Sequence, residues 1–141
     1  MKQHAVERVI MWGDLDSLGI VFYPRYYEWI DGCAHQFFES LGINFGMRLR
    51  DRQMLFGLVE TACRYFKPGR YHQKLQIVTN IEVLEKKTIT LKHLVKKIPE
   101  NELMVEGTEK RICMDVSDPD NLRAINIPDD VYAILKDAVK I

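Results

Sequence analysis

Between Tyr27 and Leu41 the apolar residues Tyr27, Ile30, Ala34, Phe37, Phe38 and Leu41 recur at steps of three and four. That spacing puts them on one face of a helix of about five turns. Its ends are marked as well. Proline is favoured at the first helical position, where its missing N–H is no loss, so Tyr23-Pro24 reads as the entry. Gly42 stands where a C-terminal cap would. A helix this apolar on one side has to be covered, and the rest of the chain supplies strands to cover it. Residues 5–12 mix apolar and charged side chains as a strand does. Residues 58–66 hold Val59, Thr61, Tyr65 and Phe66 and stop before Pro68-Gly69. Leu75, Ile77, Thr79, Ile81 and Val83 alternate with more polar neighbours, as in a half-buried strand. Residues 88–95 are rich in β-branched and apolar types after the polar turn Glu85-Lys86-Lys87, and residues 103–115 follow the turn Pro99-Glu100-Asn101-Glu102. Pro128 opens a short last helix with Val131, Ile134, Leu135 and Ala138 on one side. One strand, one long helix and then a meander predict an α+β domain whose antiparallel sheet curls around one long central helix.

The 141 residues suit a single domain over 1–141 with a real core. Twenty basic and 20 acidic side chains cancel, so there is no general attraction for nucleic acid. Cys33, Cys63 and Cys113 form no CxxC pair and read as reduced thiols of a cytoplasmic protein, Cys33 packing on the helix. No apolar run approaches the ~18 residues of a membrane span, and the first residues lack the apolar stretch of a signal peptide. His4, His35, His72 and His93 are too scattered for a metal motif, so no metal is expected. One sheet over one helix leaves edges and apolar surface, which predicts a homodimer.

The chemistry concentrates in the loop Gly13-Asp14-Leu15-Asp16-Ser17-Leu18-Gly19-Ile20-Val21-Phe22-Tyr23-Pro24. A carboxylate just before a helix can attack a carbonyl or activate water. The unpaired N–H groups at the helix start, with their partial positive charge, can receive the oxyanion that forms. Gly19 permits close backbone approach between Asp16 and Tyr23. Pro24 has no N–H, so Tyr23 is the natural donor. On composition alone Asp14 and Asp16 read more readily as turn residues than as catalytic ones.

The stretch from Trp12 through Asp14, Asp16, Gly19, Val21, Tyr23, Pro24 and Tyr26 to Asp31 resembles the signature of the 4-hydroxybenzoyl-CoA thioesterase family. The likeness continues more diffusely through Arg64-Tyr65-Phe66-Lys67-Pro68-Gly69-Arg70-Tyr71 and Leu122-Arg123-Ala124-Ile125-Asn126-Ile127-Pro128. It implies a hotdog fold, a homodimer or a dimer-of-dimers tetramer, and active sites at the dimer interface. It further implies hydrolysis of an aryl- or short- to medium-chain acyl-CoA thioester, with no cofactor beyond the CoA of the substrate. By the same resemblance Asp16 is the nucleophile or general base and the Tyr23 N–H polarises the carbonyl. Asp31 matches an aspartate that contacts a phenolic hydroxyl in the family's hydroxybenzoyl enzyme. That enzyme's pocket aromatic falls on Gly46, beside Phe45, and its pocket threonine on Phe56, which implies a reshaped acyl pocket.

Glu60 falls where many relatives carry a carboxylate, on a strand expected near the helix start. Lys86 and Lys87 match two of three adjacent basic residues used near the nucleotide, Glu85 replacing the third. Arg123 matches a phosphate-binding arginine, with Asn121 two positions before it, and Lys110 and Arg111 are further cationic candidates. Read without the family, Asp31 and Glu60 are equally exposed carboxylates, and Lys86 and Lys87 solvated turn residues. The same resemblance leaves open a thioesterase for acyl carrier protein and a non-catalytic acyl-CoA-binding module, though a binder has no need of Asp16. Dehydratases of this fold place a His near the helix start, and residues 5–34 contain none.

Overall fold

Every second residue of two central strands is buried: Leu75, Ile77, Thr79 and Ile81 in one, and Ile89, Leu91, His93 and Val95 in the next. That period gives a sheet with one covered face. The computed structural model describes residues 1–44 and 51–139. Within them the strands are β1 (Gln3–Val9), β2 (Met54–Tyr65), β3 (Lys74–Leu84), β4 (Thr88–Ile98), β5 (Glu102–Asp115) and the two-residue β6 (Arg123–Ala124). They pair antiparallel in the order β1-β3-β4-β5-β2, with β6 against the end of β5. The long helix α1 (Pro24–Ser40) lies on the covered face, and α2 (Asp129–Val139) packs Val131, Leu135 and Ala138 into the same core as Phe37, Phe38 and Phe56. This is the α+β hotdog arrangement, a sheet wrapped around one long helix. No helix among the described residues is long and apolar enough to cross a membrane.

The elements depart from the sequence expectation in particular places. α1 buries Ile30, Ala34, Phe37 and Phe38 as expected, and Cys33 as well, but its buried face widens to take in Tyr26 and Trp29 while Tyr27 stays half-buried. The cause is a second apolar cluster under its first turns, built from Ile10, Val21, Leu75, Ile77, Val95, Met104 and Val105. β1 ends at Val9 because the chain coils into a 3-10 turn at Trp12–Asp14, closed by the Asp14 N–H on the Met11 carbonyl at 3.0 Å. β2 starts at Met54, well before residue 58, and a bulge between Leu58 and Glu60 breaks its alternation. β6 was not expected at all. β2 is also an edge strand, and Leu58, Val59 and Tyr65 along it are each about half exposed.

Candidate active site

Residues 15–21 form a miniature hairpin. Leu15 bridges Val21, the Asp16 N–H donates to the Ile20 carbonyl at 2.8 Å, and the Gly19 N–H donates to the Asp16 carbonyl at 3.0 Å. Gly19 has φ +75°, the left-handed region that glycine enters without steric cost. The hairpin is pinned from outside by Ile20 pairing with Arg70 and by the Val21 N–H on the Gly69 carbonyl at 2.9 Å. Asp16 is thereby fixed at the entrance of α1.

A cleft of about 340 Å³ opens there, lined by Asp16, Tyr23, Tyr26, Tyr65, Phe66 and Lys67 among others. Asp16 Oδ1 accepts the Leu18 N–H at 2.8 Å, while Oδ2 makes no hydrogen bond within the described residues. Asp14 is the opposite case. It is buried, its carboxylate accepts the Met11 N–H at 2.9 Å, and Arg25 Nε lies 3.7 Å away. Asp14 therefore fastens the turn, and only Asp16 of the two lines the cleft.

The start of α1 has one spare donor. The Val21 N–H goes to Gly69, that of Phe22 to the Asp14 carbonyl, that of Arg25 to Phe22 and that of Tyr26 to Tyr23, while Pro24 has none. Among the described residues the Tyr23 N–H has no hydrogen-bond partner, and Tyr23 itself is exposed. Burial pushes the phenol of Tyr26 up to about 12, so that wall of the cleft stays neutral.

The other expected site residues lie elsewhere on the chain. The side chain of Asp31 is 58% exposed; its Oδ1 accepts Arg111 Nη2 at 2.7 Å, and its Oδ2 stands 3.6 Å from His35 Nε2. Arg111 is buried and holds Glu109, so it is no surface ligand for phosphate. Phe56 is a core residue stacked on Phe38, ring centroids 6.0 Å apart, because β2 carries it under α1. Phe45, like Gly46, lies outside the described residues. Glu60 pairs with Lys110 across β2 and β5 and borders a hollow of about 130 Å³ with Thr90, Thr108 and Lys110, away from the cleft.

Lys86, Lys87 and Arg123 gather at the far end of the sheet. Lys86 borders a cavity of about 290 Å³ with Asn126, Ile127, Asp129 and Tyr132. Arg123 Nη2 sits 2.8 Å from Asp115 Oδ2. The Asp115 carboxyl is held down at about 2, first by hydrogen bonds from Ser117 and then by Arg123. From Val105, opposite Tyr65, to Ile112, opposite Thr88, the chain advances seven residues of strand, roughly 23 Å. Sequence reasoning left Tyr26, Tyr65, Phe66 and Lys67 unassigned as cleft residues. Their signal was present, since Tyr65-Phe66-Lys67-Pro68-Gly69 breaks off a strand with aromatics that have no partner in the alternation.

A family model described as the thioesterase-like superfamily matches residues 10–135. A putative esterase of Aquifex aeolicus (strain VF5) is 26% identical over 130 residues, 92% of this chain and 95% of that one. The 4-hydroxybenzoyl-CoA thioesterase of Pseudomonas sp. (strain CBS-3) is 25% identical over 130 residues, 89% of this chain and 92% of that one. Among solved structures, a gentisyl-coenzyme A thioesterase superposes with a TM-score of 0.81 at 30% identity, covering 94% of this chain and 99% of the other.

Proposed function

Because the chain belongs to the thioesterase-like superfamily, we propose that it hydrolyses aryl- or short- to medium-chain acyl-CoA thioesters to the free acid and CoA, with Asp16 and Tyr23 at the reaction centre. The observation that carries this reading is the pairing, in one cleft, of an Asp16 carboxylate oxygen and a Tyr23 N–H that have no hydrogen-bond partner among the described residues. A thioester carbonyl whose oxygen meets the Tyr23 N–H presents its carbon toward Asp16. Asp16 then attacks to give a mixed anhydride that water hydrolyses, or it takes the proton from a water that attacks. In either case negative charge grows on the carbonyl oxygen, where the free N–H and the positive helix end stabilise it. Collapse of that intermediate expels the CoA thiolate. A thiol pKa of roughly 8.5 lets it leave without an acid.

Tyr26, Tyr65 and Phe66 offer an aromatic wall for the acyl group. Asp31 stands eight residues beyond Tyr23, about 12 Å along α1, a reach that suits an aromatic ring with a polar far end. Lys86, Lys87 and Arg123 remain the candidates for the CoA phosphates, with Gly19 shaping the turn and Glu60 placed on β2. On the same chain these cations lie roughly 23 Å of strand from the Tyr65 end of the cleft. A two-fold pairing across the free edge of β2 lays the Tyr65 end of one copy beside the Met54 end of the other. A homodimer, alone or doubled into a tetramer, then brings the partner's Lys86 and Lys87 toward Asp16.

A thiol-release assay over aryl-, phenylacyl- and fatty acyl-CoAs tests the reading. Turnover is expected in the native chain, and Asp16→Asn should lower kcat by at least ~10² with the substrate still bound. Unchanged turnover in Asp16→Asn would refute the assignment. Binding without turnover in the native chain would make it an acyl-CoA-binding module.

A further inference from the structure

A polar seam crosses an otherwise apolar interior. Thr79 on β3, His93 on β4, and Glu109 and Arg111 on β5 are none of them more than 5% exposed. They sit between the two apolar clusters, with Ile77, Ile81, Leu91 and Val95 on the neighbouring inward positions of β3 and β4. Thr79 Oγ1 is 2.7 Å from His93 Nδ1, and His93 Nε2 is 2.6 Å from Glu109 Oε1. Glu109 Oε2 accepts the Arg111 Nε–H at 2.8 Å and stands 2.8 Å from Nη2 in an ion pair. Arg111 Nη2 also donates to Asp31 Oδ1 at 2.7 Å. The line of bonds begins deep in the sheet and emerges at that single exposed carboxylate.

Packing alone does not call for such a line. Burying charged groups costs free energy, and apolar replacements of similar volume are often neutral or stabilising. What the line does achieve is to hold an exposed side chain still. A helix-surface aspartate ordinarily samples several rotamers. Here the guanidinium plane is set by Glu109, and Glu109 in turn by His93, so Arg111 can take Asp31 in only one way. Asp31 keeps its charge balanced by Arg111, and its Oδ2, 3.6 Å from His35 Nε2, has lone-pair capacity for a further donor. A hydroxyl group supplies such a donor.

We infer that His93, Glu109 and Arg111 are positioning residues that set Asp31 to accept a hydroxyl at the far end of the acyl group. The preference for hydroxyaryl over plain aryl thioesters then resides partly in side chains that never touch substrate. This rests on the proposed thioesterase reading and deepens it. A site built to bond a substrate hydroxyl discriminates strongly against the analogue lacking it.

The test compares kcat/KM for 4-hydroxybenzoyl-CoA and benzoyl-CoA in native protein, Asp31→Ala, Arg111→Met and the double variant, each checked for folding by circular dichroism. Arg111→Met should cut the hydroxybenzoyl preference by at least about tenfold while leaving benzoyl-CoA turnover nearly native. Added to Asp31→Ala it should cost nothing further, since both changes break one interaction. Should Arg111→Met fail to fold, the paired Glu109→Gln/Arg111→Gln variant removes both charges together and is expected to show the same loss of preference. Equal loss on both substrates, or losses that add, would overturn the inference and leave the thioesterase standing. Native protein inert toward both thioesters would bring down the reading and the inference together.

Discussion

Gly69 shows how tightly single positions are specified around the cleft. A Cβ there would meet Tyr26 Oη at 2.7 Å, Val21 Cγ2 at 2.8 Å and Ile10 Cδ1 at 2.9 Å, atoms from three separate segments. Gly69→Ala is therefore expected to cost about 1–3 kcal/mol in urea denaturation. It should also lower kcat/KM, because the Gly69 carbonyl holds the Val21 N–H and with it the Asp16 hairpin. Gly13→Ala, where a Cβ meets nothing within 4 Å, is the control and should leave both unchanged. The same scale explains what the sequence could reveal. The Asp16 and Tyr23 pairing was legible because its logic is local: a loop carboxylate, a helix start, and a proline that removes the next donor. Asp14 was separated from Asp16 by the family resemblance and not by the local residues, since the Met11 and Arg25 contacts that commit Asp14 exist only once the turn has formed. Phe56 was assigned to a pocket by its place in a pattern, yet its stacking on Phe38 depends on where β2 begins.

At the level of elements, α1 was readable as a helix from its period, and so was the face carrying Ile30, Ala34, Phe37 and Phe38, but the widening of that face at its first turns was not. Tyr26, Trp29 and Cys33 are buried because Leu75 and Ile77 of β3, Val95 of β4, and Met104 and Val105 of β5 pack beneath them, and those contacts are remote in sequence. The interface between α1 and the sheet also makes a prediction about alkali. Burial raises the thiols of Cys33 on α1 and Cys113 on β5 from 9.0 to about 11, and the phenol of Tyr26 from 10.0 to about 12. Between those limits the folded chain keeps protons that the unfolded chain has released. The sign follows: this contribution is complete below pH 9 and is lost as pH rises toward 11 and 12. The melting temperature should fall by several degrees between about pH 9 and 11. A Cys33→Ala/Cys113→Val variant should flatten part of that limb, and an alkaline limb no shallower than native would remove the two thiols as its cause. On the acid side Asp115 and Asp130 act in the opposite sense. Both are held at about 2, by Ser117 and Arg123 for the first and by Arg52 for the second. Their contribution is present above pH 3.8 and lost as pH falls toward 2.

At the scale of the molecule, the proposed function turns on how the cleft meets Lys86 and Lys87. Roughly 23 Å of β5, from Val105 to Ile112, separates the Tyr65 end of the cleft from the lysines proposed to hold the CoA phosphates, and the proposed homodimer closes that gap with a second copy. Two damaged chains can decide the matter. One carries Asp16→Asn with its lysines intact, and the other carries Lys86→Ala/Lys87→Ala with Asp16 intact. If each site draws the carboxylate from one copy and the lysines from the other, a purified mixed dimer has one doubly damaged site and one native site. It should then hydrolyse an acyl-CoA with native KM and about half the native kcat per dimer. If each site takes both from the same chain, no native site forms, and KM stays as high as in the lysine variant. A short N-acetylcysteamine thioester, which lacks the nucleotide, should give similar KM in the native, mixed and lysine-variant dimers. A raised KM for that thioester as well would show that the lysines act on the shape of the site and not on phosphate.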